Sequence, residues 1–275
     1  MAAGLPDLGA IAWALLVLAA AFSGLSKTAL PGMTTLSVAI FAAVLPAKAS
    51  TGALLLLLIV GDVFALLSYR RHAHWPTILR LFPAVAAGLV LGALFLAFAD
   101  DSWVRRTIGI ILLALIGITL WRRHAPRLRA PRRRAQDPAA SDPATADPDA
   151  SDRPVSPGAQ VVARIGYGTL AGFTTMVANA GGPVMAMYFL AARFPVKAFL
   201  GTAAWFFAVV NLVKVPISIG LGIITPSTLL LVLVLIPGLV AGALIGRWIA
   251  NRIAQRVFDL VVVIGSLAGA IYLIV

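Results

Sequence analysis

Apolar residues fill long windows of this chain, and polar residues fall almost entirely between them. Runs near the roughly 20 residues that cross about 30 Å of hydrocarbon can be drawn at 8–26, 30–45, 49–68, 77–98 and 106–121, then at 161–178, 180–192, 199–222, 227–250 and 257–275. Two are short, 30–45 and 180–192, and each begins at a break containing Gly and Pro, "ALPGMTT" and "ANAGGPVM". The pattern predicts an all-α polytopic membrane protein of about ten hydrophobic segments, with short or re-entrant half-helices at those two places. No Lys or Arg precedes Leu8, so the first run reads as an uncleaved helix, not a signal peptide.

Between the fifth and sixth runs the pattern stops. An arginine block, "RRHAPRLRAPRRR" at 122–134, leads into "DPAASDPATADPDASDRP", a stretch of Asp, Pro, Ala and Ser that has nothing with which to build a core. The chain therefore divides into a first transmembrane repeat at 1–121, a disordered linker at 122–160 and a second repeat at 161–275.

The two halves resemble each other. "PAK" at 46–48, Gly52 and Asp62 recur with the same spacing as "PVK" at 195–197, Gly201 and Asn211. "PAVAAGLVLG" from Pro83 recurs as "PGLVAGALIG" from Pro237, so Gly88 and Gly92 match Gly242 and Gly246. The small-xxx-small glycine pairs suit close helix packing, and Pro83, Pro216 and Pro237 lie inside apolar runs that they should kink. A unit of five segments is odd in number, so its second copy enters the membrane from the opposite side, which makes the repeats inverted in topology.

Composition then narrows the class. Of the 275 residues 61% are hydrophobic and 12% charged, and the mean hydropathy is +0.98. Cysteine is absent, which removes disulfides and thiolate chemistry. The net charge of +12 does not point to nucleic acid, because seven of the arginines lie in the block at 122–134, directly after a hydrophobic run, where positive charge marks the cytoplasmic face. With that linker cytoplasmic, Arg70, Arg71, Arg80, Arg193, Lys197, Arg247, Arg252 and Arg256 fall on the inner side. Both termini are then expected outside, in a bacterial inner membrane.

Few polar groups sit where hydrocarbon should exclude them. All ten acidic residues are aspartates, and only Asp62 lies deep in a run, at an insertion cost of about 2.5–3.5 kcal/mol for an ionised carboxyl. Asn211, Lys214 and Ser218 share one helical face in "NLVKVPIS". A lysine at that depth needs a counter-charge, and either Asp62 or a bound anion could supply it. Lys27, in "SGLSKTALPGM", lies at the first break, while Asn179 marks the second. Helix starts at such breaks offer free N–H groups and a positive dipole end to a small oxyanion. Lys27, Thr28, Thr34, Thr175, Asn179, Thr202, Asn211 and Lys214 are the candidate substrate-binding residues, and Asp62 is the candidate for ion coupling.

These breaks, "YRRHAHW" at 69–75 and above all "GTAAWFFAVVNLVKVPISIGLGIIT" at 201–225 resemble the TauE/SafE family of sulfite and organosulfonate exporters. The resemblance spans the chain apart from the linker, and it implies that Gly201, Thr202, Asn211 and Lys214 match family functional residues. The first break departs from the family's run of glycines, carrying Lys27 and a single Gly32 instead. The combined expectation is a secondary transporter that exports a small sulfur-containing or related organic anion by alternating access with proton coupling, with no cofactor and no metal. An anion channel and a non-transporting membrane scaffold are the alternatives. An intramembrane enzyme is disfavoured, since His72, His74 and His124 lie in basic stretches away from any buried serine. The expected partners are the substrate anion and the bilayer, with a homodimer open to such a bundle.

Overall fold

The computed structural model describes residues 5–28, 33–129, 157–192, 194–249 and 271. Among these it is all helical: α1 (Ala10–Thr28), α2 (Met33–Val44), α3 (Ala47–Tyr69), α4 (Trp75–Phe98), α5 (Asp101–Arg129), α6 (Pro157–Ala178), α7 (Gly181–Ala191), α8 (Val196–Gly220) and α9 (Pro226–Ile249). Six of them, α1, α3, α4, α6, α8 and α9, are long and apolar enough to cross a membrane. Large apolar side chains such as Ile11, Leu79 and Phe98 point outward, as lipid-facing residues do, and the chain is a multi-pass membrane protein.

Nine of the ten expected segments are present as helices. The run at 257–275 lies outside the described residues apart from Ile271. The two short helices have 12 and 11 residues, about 18 Å or less of axial rise, which is well under the hydrocarbon thickness. One boundary differs from the sequence expectation. Helix α5 runs on through part of the arginine block to Arg129, and α6 starts at Pro157. Arginine is a good helix former and proline is tolerated at a helix start; the rest of the expected linker, 130–156, lies outside the described residues.

The halves interlock. Their most extensive interfaces join α1 to α9 and α4 to α6, and α3 packs on α8 at the centre. Small residues permit this closeness: Gly24 and Gly242 lie against backbone in the α1–α9 interface, Gly172 and Gly88 in the α4–α6 interface. The contacts are reciprocal. Gly24 abuts Leu239 and Ala243, while Gly172 abuts Val85 and Leu89; Gly246 abuts Thr28, while Gly92 abuts Met176. At the centre, Gly52 of α3 lies on Ile223 in the turn after α8, and Gly201 of α8 lies on Tyr69, the last residue of α3, and on His72 in the turn that follows.

The corner between α4 and α5 ties down the short helix. Asp100 accepts the Trp103 N–H at 2.8 Å and the Ser102 hydroxyl at 2.7 Å, closing the first turn of α5. Those two bonds hold its carboxyl below the ordinary value of 3.8, so the cap weakens only as pH falls through that lowered value. Asp101 takes the Ala47 and Lys48 N–H groups at 2.9 and 3.0 Å, placing a carboxylate on the amide end of α3. Arg105 donates to the Ala42 and Ala43 carbonyls at 3.0 and 3.3 Å, placing a cation on the carbonyl end of α2.

A side chain at Gly88 or Gly242 has to displace the neighbouring helix backbone. Gly88→Val and Gly242→Val should each destabilise the purified protein by about 1–3 kcal/mol, read as a lower unfolding midpoint in detergent. Leu91→Val, on the exposed face of α4, should leave the midpoint nearly unchanged.

Candidate functional site

Helix α1 is apolar until its last turn, where Lys27 appears. The lysine stem crosses α3 at Gly61, where a Cβ would stand 2.9 Å from the Lys27 Cγ. This crossing brings Nζ to 2.5 Å from the Asp62 Oδ1. The ammonium also lies over the Phe207 ring, 5.4 Å from its centroid. The other carboxylate oxygen accepts the Asn211 Nδ2 at 2.7 Å. Three helices, α1, α3 and α8, thus meet at one carboxylate that is 4% exposed.

One turn further along α8, Lys214 is fully buried. Its ammonium donates to the Thr175 carbonyl and to the Asn179 Oδ1, both at 2.6 Å, with the Thr175 hydroxyl at 3.5 Å. Asn179 ends α6 in the left-handed region, φ 53°, a conformation that asparagine tolerates better than most residues. Its N–H and that of Ala180 turn back onto the carbonyls of Thr175 and Thr174. The Asn179 Nδ2 donates to the Thr51 carbonyl at 2.9 Å, and the Thr51 hydroxyl returns a bond of 2.9 Å to the Val177 carbonyl. Helices α3, α6 and α8 are pinned together at the second break, next to the first residues of α7.

The sequence expectations resolve residue by residue. Lys27, Asp62, Asn211, Lys214, Thr175 and Asn179 form one connected set, and Lys27 and Asp62 lie within electrostatic reach of Lys214. The counter-charge offered to Lys214 corrects one expectation: Asp62 pairs with Lys27, whose stem passes over Gly61, while neutral oxygens receive the Lys214 protons. The lysines also differ in helix polarity from the expected arrangement. Lys27 lies in the last turn of α1 and Lys214 binds the last turn of α6, so each faces a carbonyl end, the favourable end for a cation.

Three candidates lie apart from that set. Thr28 bonds back to the Gly24 and Leu25 carbonyls and packs on Gly246. Thr34 meets the Ser26 hydroxyl at 2.7 Å, linking α1 to α2 across residues 29–32. Thr202 accepts the His74 N–H at 2.9 Å, where Trp205 also donates to the Arg70 carbonyl at 3.2 Å. It stands nine residues before Asn211, about 13 Å along the helix. Here the glycine-threonine pair of α8 seats the turn that follows α3.

Thr51 and Gly61 were not among the candidates. Gly61 carried a signal in standing beside the deep Asp62. Thr51, in "AKASTG", carried none beyond being a hydroxyl one residue before a repeated glycine.

The family model described as sulfite exporter TauE/SafE matches residues 16–273. No curated protein and no solved structure matches the chain.

Lys27→Met leaves the Asp62 carboxylate with Asn211 alone and should cost about 3 kcal/mol. Adding Asp62→Leu to it should recover much of that loss, so the double variant unfolds less easily in detergent than the sum of the single effects implies. Strictly additive single and double variants would show that the pair is not coupled.

Proposed function

Because the chain belongs to the sulfite exporter TauE/SafE family, we propose that it carries a small sulfur-containing or related organic anion outward across a bacterial inner membrane by alternating access, coupled to protons. The observation that carries this reading is the set of half-buried Lys27 with buried Asp62 and Lys214, shared between α1, α3, α6 and α8. Two cations and one carboxylate leave a formal surplus of one positive charge where lipid surrounds the protein. A monoanion cancels that surplus.

Electrostatics also supplies the coupling. Protonating Asp62 releases Lys27 from its pair and raises the surplus to two charges, which strengthens attraction for an anion. Linkage makes the effect reciprocal between the two bound species. Anion and proton therefore favour each other at this centre, and loss of the proton restores the Lys27–Asp62 pair and loosens the anion. Net movement follows the combined gradients, outward when the outward gradient of the anion exceeds the inward gradient of the proton.

The reciprocal glycine contacts support two inverted repeats: α1 relates to α6, α3 to α8 and α4 to α9. Counting from Gly24 and Gly172, the position of Lys27 corresponds to Thr175; counting from Gly52 and Gly201, Asp62 corresponds to Asn211 and Gly61 to Val210. A long side chain over glycine in one half answers a short one beside valine in the other. The shared scaffold then holds unlike charges on its two sides. We place the linker in the cytoplasm and both termini outside, following the arginine distribution.

In proteoliposomes, sulfite or sulfonate flux should fall about tenfold or more in Lys214→Ala, equivalent to about 1.4 kcal/mol of barrier, and further when Lys27→Ala is added. Flux that survives in the double variant would sink the anion site. For Asp62→Asn, transport should lose its response to an imposed pH gradient, and a full response would remove Asp62 from the coupling.

A further inference from the structure

Two polar atoms in the same buried face of α8 have no partner: the Asn211 Oδ1 and the Ser218 Oγ. Both residues are 1% exposed, and Lys214 lies between them in sequence on the same helical face. Buried polar atoms without partners are rare in folded proteins, because leaving them unpaired forfeits their hydration with no return. The orientation of the Asn211 amide is fixed by its neighbour. Its Nδ2 faces the Asp62 Oδ2 at 2.7 Å, and the flipped amide would aim oxygen at oxygen. Asn211 therefore turns a pure acceptor away from Asp62. Lys214 meanwhile holds two oxygens at 2.6 Å, and its remaining contact, with the Thr175 hydroxyl at 3.5 Å, is at the limit of a hydrogen bond.

Building on the anion reading above, we infer that the α8 face selects a monoanion that brings its own hydrogen-bond donor, an organosulfonate or protonated sulfur oxyanion bearing an O–H or N–H group. The anionic oxygens go to Lys214 and satisfy the surplus charge. The donor goes to the Asn211 Oδ1, and the Ser218 hydroxyl, able to give or accept, completes the shell. An anion with no donor satisfies the lysine but leaves the buried Asn211 oxygen unpaired. Rejection of a ligand lacking one hydrogen-bonding group is strongest where the site's own polar atom is left stranded.

The test uses the purified full chain and two sulfonates of matched size and charge, hydroxyethanesulfonate and propanesulfonate, which differ by hydroxyl against methyl. Calorimetric titration should show the hydroxyl compound binding about tenfold tighter or more. In Asn211→Ala that ratio should fall toward one, a change that loss of mere structural support would not give, since it would weaken both ligands alike. Equal affinities in the unaltered protein overturn the donor requirement, assign the Asn211 oxygen to a water and leave the anion site standing. If neither sulfonate nor sulfite binds, the anion reading itself fails. Where Asn211→Ala gives no folded protein, the ratio in the unaltered chain and in Ser218→Ala decides.

Discussion

A charge in hydrocarbon has to be met by something, and the geometry of this bundle follows from how three charges are met. Lys27 reaches Asp62 only because α1 ends at that level and because Gly61 clears a path for the stem. Asp62 in turn holds Asn211, and Lys214 holds the end of α6. The broken helices α1 and α6 are thus fastened to the central pair α3 and α8 by polar bonds, in a setting where lipid supplies little hydrophobic drive between helices. Removing one member strands the others, which is the physical reason for treating the set as a unit.

Close backbone approach is the second constraint. The interfaces α1–α9 and α4–α6 are lined by glycines at which a Cβ would strike the opposing chain. Tight packing of this kind gains its energy from dispersion and tolerates few alternatives, so the helix pairs move as bodies more readily than they deform.

Much of this was legible before any coordinates. Among the described residues, periodicity and length placed eight helices within a few residues and left only α5 short, by eight residues at its end, and the matched glycines at 88, 92, 242 and 246 announced the tight interfaces. Depth in an apolar run singled out Asp62 and Lys214, because the cost of burial leaves few reasons for them to be there. What the sequence withheld was pairing. Lys27 and Lys214 are both cations near breaks, and nothing in linear order says which one reaches Asp62; Gly61 decides it, through a clearance that exists only once two helices cross. The place of Thr202 was hidden for a related reason. It shares a helix and a recurrent motif with Asn211, yet it stands far enough along the axis to serve the α3–α4 turn instead.

The corner at Asp101 and Arg105 has a mechanical meaning. One turn of α5 grips the last carbonyls of α2 and the first amides of α3 with opposite charges. The joint at residues 44–47 is therefore clamped from outside, and it has no freedom to act as a pivot while those bonds last. Helices α2, α3 and α5 form a single link in the kinematic sense, and any rocking within the first half has to find its axis elsewhere.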